Sequence, residues 1–129
     1  MTRPGGLIVV HDGDYASMTF DTGAPEYDRV LPGKYLDAIV ANRFVMRELP
    51  RLLSRAELKL EKSFGSVVVE AGQGEYFPTT IDSYGPIAMA SGAVTQEQVE
   101  GWQKSCRAAL MANAFFGSCN FLTYFVRKP

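Results

Sequence analysis

The feature that most constrains this fold is a continuous apolar run near the start of the chain, LIVV at residues 7–10. A PGG turn precedes the run, and the polar residues HDGD follow it. Strands that are apolar at every position are typical of parallel sheets whose two faces are both covered by helices. We therefore expect residues 7–10 to form a strand that is buried on both faces.

Loop, helix and strand patterns follow in that order. Residues 15–34 mix aromatic side chains with Asp, Gly and Pro without any period, which predicts a long loop. Pro50 is expected to end the next helix or to begin another one, and residues 59–70 are predicted to form a strand with a bulge at Gly65. Four apolar residues at the spacing of one helical face predict the helix before Pro50: Leu36, Ile39, Val40 and Phe44.

The segment between this second strand and the next strong signal has a weaker pattern. Residues 75–80 are predicted to be extended, because they lack a helical period. Residues 81–90 are predicted to form a short helix that is interrupted near Gly85 and Pro86, since both residues disfavour a helix interior.

A capping box gives the clearest helix signal in the sequence. Thr95 and Gln98 have the spacing at which each side chain satisfies a backbone N–H group of the other residue at a helix start. We expect this helix to run to about Ala114 and to have Gly117 as its C-cap. Residues 120–127 (NFLTYFVR) are rich in aromatic and branched side chains and are predicted to form the last strand.

The order of these elements predicts an α/β fold in a single domain over residues 1–129. The economical topology is a three-stranded mixed sheet that is covered by helices. The apolar strand at residues 7–10 has no charge or proline to protect its edge. We therefore expect it to pair with something that the chain itself does not supply.

Composition and charge argue against several functional classes. The net charge of −1 and the pI near 5.8 offer no electrostatic attraction to nucleic acid or to anionic lipid. Cys106 and Cys119 have no CxxC spacing, and His11 is the only histidine, so a Cys/His zinc site would have too few ligands. No membrane-spanning run and no signal-peptide core are present, which makes a cytoplasmic protein with two buried thiols the simplest expectation.

Residues 3–15 (RPGGLIVVHDGDY) resemble the segment of class I S-adenosylmethionine-dependent methyltransferases in which a PGG turn leads into the fifth strand of the sheet. Together with later segments, these residues look like the C-terminal half of small-molecule methyltransferases related to ubiquinone- and menaquinone-pathway enzymes, and this resemblance covers essentially the whole chain. The resemblance depends on the order and spacing of several segments after residue 15: Phe44, LPRLL at 49–53, AEL at 56–58, the valines at 67–69 and YFVRKP at 124–129.

The resemblance implies the C-terminal part of a seven-stranded, Rossmann-like sheet. Residues 7–10, 59–69 and 120–127 would be its fifth, sixth and seventh strands, with the last strand antiparallel beside the fifth. Residues 75–116 would form a helical cap over the substrate. The fifth strand normally pairs with the fourth, which would explain its unprotected edge.

The resemblance also implies S-adenosylmethionine as the cofactor, although its binding motif is not present in the chain. The family holds the cofactor in its first half, with a glycine-rich loop after the first strand and an acidic residue after the second. Gly5 and Gly6 precede a strand instead of following one. The GQG sequence at residues 72–74 lacks a third glycine and a clear helix after it.

Candidate site residues lie after the first strand and in the cap. Ligands of open α/β sheets bind beyond the carboxyl ends of the strands. His11, the only imidazole, is therefore the candidate general base, and Asp12, Asp14 and Tyr15 are candidate substrate contacts. The alternative is that the aspartates cap a turn and His11 is half-exposed. Within the cap, Tyr84, Trp102 and Phe116 are the candidate substrate contacts. They belong to a larger set of apolar and aromatic residues that could line a pocket or, alternatively, pack in the core: Tyr76, Phe77, Tyr84, Met89, Trp102, Phe115 and Phe116.

Two functions remain open at this point. The first is a portion of a methyltransferase that acts on a small molecule, with its cofactor half missing from this chain or supplied by another. The second is a non-catalytic module that binds a small ligand or dimerises. In either case the expected protein partner is a second copy or a cofactor-binding half, bound through the strand edge at residues 7–10. No metal site is expected.

Overall fold

The sheet is organised around its last strand, β3 (Phe115–Arg127), which lies between the other two. The computed structural model describes residues 2–129, and over that range the other strands are β1 (Leu7–Asp21) and β2 (Lys59–Gly72). β3 is antiparallel to both neighbours along almost its whole length. β1 and β2 therefore run parallel to each other, on opposite sides of β3.

Helices fill the two connections between strands. Between β1 and β2 lie α1 (Pro25–Asp28), α2 (Leu31–Ile39) and α3 (Val45–Arg55). Between β2 and β3 lie α4 (Tyr76–Ala90) and α5 (Gln96–Met111). Within residues 2–129, no helix is both long enough and apolar enough to cross a membrane.

Side chains of β3 contribute to two separate cores. Phe115 and Cys119 belong to the main core, which also contains α2, α4 and α5 residues such as Phe77. Tyr124 and Val126 belong to a second core with Met46 and Leu53 of α3. Because side chains alternate along a strand, odd and even positions of β3 face opposite sides of the sheet. Each face is therefore covered by helices over only part of its length.

The α/β class and the antiparallel last strand are confirmed. The prediction of a mixed sheet is wrong for the hydrogen-bonded pairs, which are both antiparallel. The reason is that the last strand separates the two parallel strands. The second strand is also found where the pattern predicted it, but the register shift lies between Leu60 and Lys62 instead of at Gly65.

β1 differs most from its prediction. It continues to Asp21, so the first part of the predicted loop is strand. A register shift between Asp14 and Thr19 accommodates extra residues as a bulge, and the hydroxyl of Ser17 accepts a hydrogen bond from the N–H of Asn120 at 2.8 Å. A bulge of this kind keeps the ladder intact on both sides, which local sequence patterns do not reveal.

The outer face of β1 is also less buried than predicted. Leu7 is 50% exposed and Val9 is 53% exposed, because only the side that carries Ile8 and Val10 packs against the second core. In the part of the chain that the structure describes, no strand lies beside the outer edge of β1. The prediction of a strand buried on both faces is therefore wrong for this chain taken alone.

Several helix boundaries also differ from the pattern. The helix expected to include Phe44 ends at Ile39, and Phe44 precedes α3. Residues 75–80, predicted to be extended, belong mostly to α4, which continues through Pro86. Gly117 lies within β3, where the ring of Phe77 occupies the space of a Cβ atom, so it is not a helix C-cap.

Other local predictions are confirmed. The capping box of α5 has both of its bonds: the N–H of Gln98 donates to Thr95 Oγ1 at 3.2 Å, and the N–H of Thr95 donates to Gln98 Oε1 at 3.0 Å. Cys106 and Cys119 are both buried free thiols. These features depend on short-range spacing and on apolar context, which sequence analysis reads well.

Pro50 lies inside α3, although it was expected to break or restart a helix. Proline has no N–H group, so the carbonyl of Met46, four residues earlier, loses its helical donor. The hydroxyl of Tyr124 on β3 donates to that carbonyl at 2.8 Å. A side chain from the sheet thus satisfies the acceptor that the proline leaves open, and it also fixes α3 on the sheet.

A double-mutant cycle can test whether the Tyr124 hydroxyl replaces the N–H donor that Pro50 lacks. We predict that Tyr124→Phe lowers the free energy of unfolding by about 1–2 kcal/mol, because the Met46 carbonyl is then buried without a donor. In a Pro50→Ala background the new N–H can donate to the same carbonyl, so the cost of Tyr124→Phe should fall to about 0.5 kcal/mol or less. Urea denaturation measures both values, and equal costs in the two backgrounds would contradict the interpretation.

Candidate functional site

An open cavity of about 540 Å³ lies beside the N-terminal half of α4, next to the end of β2. Its wall on α4 consists of Tyr76, Thr79, Thr80, Ser83 and Tyr84. Glu70 and Glu75 complete the lining. We call this cavity the α4 groove. Its volume is within the range of about 300–1,000 Å³ that is typical of small-molecule sites.

Glu70 fixes the position of α4 beside β2. Its carboxylate accepts hydrogen bonds from the N–H groups of Glu75, Tyr76 and Phe77, at 2.9, 2.9 and 3.0 Å. These are donors that the first turn of a helix leaves without partners, and the residue at the N-cap supplies no side-chain bond of its own. A strand residue therefore caps α4. Gly74 leaves room for the Glu70 carboxylate, since a Cβ atom at residue 74 would collide with it.

The same bonds set the charge of Glu70. Burial by itself would raise the pKa of this carboxyl group, but the three backbone N–H donors outweigh burial and leave the pKa below its usual 4.5. The helix dipole favours a negative charge at this end as well. Glu70 is therefore an anion at neutral pH.

The GQG loop at residues 72–74 does join a strand to a helix, which the sequence analysis did not expect. Its groups are nevertheless occupied by contacts within the chain. Gln73 donates from Nε2 to the carbonyl of Leu110 at 2.7 Å, at the end of α5. The helix N–H groups that would meet a bound anion already bind Glu70. The loop therefore fixes α4 and α5 relative to β2.

Tyr15 lies close to the groove tyrosines. Its ring covers Gly13, and its hydroxyl donates to Asp12 Oδ1 at 3.1 Å. Burial, the bond to Asp12 and its charge, and the proximity of Tyr76 and Tyr84 together raise the pKa of Tyr15 to about 12. Tyr15 and Tyr84 both pack against the main core. The phenol of Tyr15 is therefore neutral at physiological pH.

Tyr76 has a similar electrostatic environment. Its pKa is raised by burial first, and then by the nearby acidic groups of Tyr84, Cys119, Asp12 and Glu70. These neighbours come from β1, β2, β3 and α4. The phenol of Tyr76 therefore lies within electrostatic range of acidic groups from all three strands.

His11 lies on the exposed part of β1. Its Nδ1 atom is 2.8 Å from the hydroxyl of Thr123, and its ring stacks on Phe121 with a centroid distance of 5.8 Å. Since Gly13, under the Tyr15 ring, is two residues along the strand, His11 and that ring share a face of β1. The structure therefore brings His11, Asp12, Tyr15 and Tyr84 into one region.

His11, Asp12 and Tyr15 were expected beyond the carboxyl end of their strand. They lie instead in its middle, because the bulge lets β1 continue to Asp21. Asp12 also accepts the N–H of Gly13 at 2.7 Å, but this bond lies within β1 and not in the turn that the alternative expected.

The remaining predicted residues lie elsewhere. Asp14 is buried and binds Arg47 of α3, with Nε 2.9 Å from both carboxylate oxygens. Trp102 is 1% exposed in the main core, and its Nε1 donates to Asp28 at 2.8 Å. Phe116 is 37% exposed, but strand alternation places it on the face opposite Phe115. None of these three side chains lines the α4 groove.

Sequence analysis missed the two carboxylates of the groove. Glu70 was assigned only to a strand, and Glu75 only to an extended segment. The sequence did hold one indication: α4 begins without Ser, Thr, Asp or Asn as an N-cap. The first N–H groups of such a helix need an acceptor from another part of the chain. The partner itself, from a preceding strand, requires the tertiary structure.

Comparison with known proteins does not add an assignment to this geometry. No protein-family model matches the chain, and no curated protein matches it. Among residues 2–129 there is also no group of three or more His, Cys, Asp or Glu side chains arranged to hold a metal ion. The function is therefore inferred from the sheet, the groove and the resemblance given above.

The cap on α4 predicts a specific pH dependence. A carboxyl group whose pKa is lowered by folding stabilises the protein above its unfolded pKa, and this contribution is lost as the pH falls through the folded value. We predict that Glu70→Gln costs about 1 kcal/mol at neutral pH, and that this difference disappears as the pH falls below the usual value of 4.5.

Urea denaturation across this pH range measures the effect. Glu100→Gln is the matched control, because Glu100 is an exposed residue in the interior of α5 and caps no helix. A difference between Glu70→Gln and the unsubstituted chain that persists unchanged at acid pH would contradict a role for the carboxylate charge.

Proposed function

We propose that this chain is the C-terminal, substrate-binding part of a class I S-adenosylmethionine-dependent methyltransferase that acts on a small molecule. The observation that carries the proposal is the order of the sheet, β1-β3-β2, with β3 antiparallel to both neighbours. The resemblance of residues 3–15 predicts such an arrangement, in which the last strand lies antiparallel beside the fifth. β1, β2 and β3 would then be the fifth, sixth and seventh strands of a Rossmann-like sheet.

The cofactor does not fit the residues of this chain. The PGG turn is bound to the end of the chain, with the N–H of Gly5 donating to the Lys128 carbonyl at 2.8 Å and the N–H of Lys128 donating to the Gly6 carbonyl at 3.1 Å. The GQG loop is occupied by Glu70 and by α5, as described above. Residues outside this sequence would therefore have to hold S-adenosylmethionine, and we derive no reaction step through it.

The contribution of this chain would be to bind and orient a substrate. The α4 groove has the volume of a small-molecule site, and Tyr15, whose hydroxyl donates to Asp12, lies near its two tyrosines. His11 remains the candidate general base. Its Nδ1 atom is bonded to the Thr123 hydroxyl, and in the tautomer in which Nδ1–H donates this bond, Nε2 is the nitrogen that would take up a proton from a bound nucleophile.

The free edge of β1 supports an additional protein partner. An unpaired strand edge is a template for pairing with another strand, and the half-exposed side chains of Leu7 and Val9 lie on this edge strand. In the proposed enzyme a cofactor-binding half would supply that strand. A second copy of the chain, pairing through the same edge, is the other possible partner.

A non-catalytic module that binds a small ligand is the second candidate function. The observation in its favour is that both glycine-containing turns of this chain, at residues 4–6 and 72–74, are occupied by contacts within the chain. Such a module would keep the α4 groove and would use the β1 edge for dimerisation.

Calorimetric titration with S-adenosylmethionine distinguishes these functions. We expect no binding to this chain alone at millimolar cofactor. We expect one molecule to bind a fusion in which the first four strands of a class I small-molecule methyltransferase precede Leu7 of this chain. The first half alone is the reference, and a Tyr84→Phe fusion is a second control that should bind the cofactor normally, because Tyr84 lies in the α4 groove.

Two outcomes would contradict the proposal. One is a fusion that is folded and monomeric, by circular dichroism and sedimentation, but gives no heat with the cofactor. The other is saturable binding of S-adenosylmethionine to this chain alone, which would mean that the cofactor site lies within it.

A further inference from the structure

We infer that the α4 groove selects a positively charged amine attached to a small apolar body. The inference rests on the proposed function only in calling this ligand a substrate, since binding of a cation is a property of the groove itself. It is carried by three features that lie together: a cavity of suitable volume, aromatic walls, and carboxylates with no basic residue among them.

The lining of the groove contains both chemical parts that such a ligand needs. Two tyrosine rings, of Tyr76 and Tyr84, provide apolar surface, and three small hydroxyl side chains lie between them along α4. Faces of aromatic rings attract cations, by about 0.5–2 kcal/mol according to the degree of desolvation. A neutral phenol oxygen can also accept a hydrogen bond from an ammonium group.

The charge of the groove has a single sign. Of the described residues that line it, Glu70 and Glu75 are acidic and none is Lys, Arg or His. On the β1 side, the carboxylate of Asp12 binds the Tyr15 hydroxyl. A carboxylate or phosphate ligand would meet only like charge here, which costs free energy in a partly desolvated site. A cation would meet opposite charge where α4 begins, at Glu70 and Glu75.

The two carboxylates have different roles in this arrangement. Glu70 is committed to three N–H groups at the start of α4, so it contributes a fixed negative field. Glu75 is exposed, and its side chain caps no backbone N–H group of the helix. Glu75 is therefore the residue that we assign to a direct ion pair with the ligand ammonium group, and it can be changed without removing the cap of α4.

Three probes of matched size test the inference: 2-phenylethylammonium, 2-phenylethanol and 3-phenylpropanoate. Each is titrated into the isotopically labelled full chain, and the shifts of backbone amide resonances are followed by NMR. We expect the cation to shift the amides of residues 75–84 and to bind about tenfold more tightly than the neutral alcohol, which corresponds to about 1.4 kcal/mol. The anion should bind more weakly than either.

Variants separate charge recognition from nonspecific attraction. Glu75→Gln should weaken binding of the cation by about fivefold or more and leave binding of the alcohol unchanged, as expected for loss of one partly exposed ion pair. Glu100→Gln, the same change on α5, should alter neither. Equal affinities for cation and alcohol, tightest binding of the anion, or no saturable binding of any probe would overturn the inference.

This experiment is independent of methyl transfer. If the fusion described above fails to bind S-adenosylmethionine while the cation still binds here, the proposed function fails and the amine site stands. If the fusion binds the cofactor and the cation does not bind, the amine site fails and the methyltransferase proposal stands.

Discussion

The pairing of β3 with both neighbours is the interaction on which the rest of this structure depends. β3 is hydrogen-bonded from Phe115 to Arg127 on the β2 side, and it pairs with β1 on either side of the bulge. This pairing makes β1 and β2 parallel, although they are not hydrogen-bonded to each other. Because its side chains alternate, β3 also supplies Phe115 and Cys119 to one core and Tyr124 and Val126 to the other.

The α4 groove follows from the same register. Glu70 of β2 lies opposite Gly117 of β3, and the space above that glycine is filled by the Phe77 ring. Because Gly117 has no side chain, the first turn of α4 can approach the sheet at this point. Glu70, its partner on β2, binds the N–H groups of that turn. The position of Tyr76, and with it one wall of the groove, depends on this combination of a small residue and a carboxylate.

Features that depend on nearby residues were predictable from the sequence, and features that depend on distant ones were not. The capping box of α5 was predicted correctly because its spacing alone determines it, and the antiparallel last strand was expected from the resemblance. The continuity of α3 through Pro50 depends on a hydroxyl from Tyr124, and the extension of β1 depends on Ser17 bonding to β3. Of the predicted substrate contacts, Tyr84 lines the α4 groove, whereas Glu70 and Glu75 come together only when β2 and α4 meet.

We propose that the three strands of this chain are part of a larger sheet, in which the outer edge of β1 pairs with a strand from elsewhere. Amide hydrogen exchange along β1 tests this proposal, at concentrations where sedimentation shows a monomer. In an antiparallel edge strand, alternate N–H groups point away from the partner. We expect slow and fast exchange at alternate residues of β1 and slow exchange throughout the centre of β3. Uniformly slow exchange along β1 in the monomer would contradict it, because the edge would then be covered already.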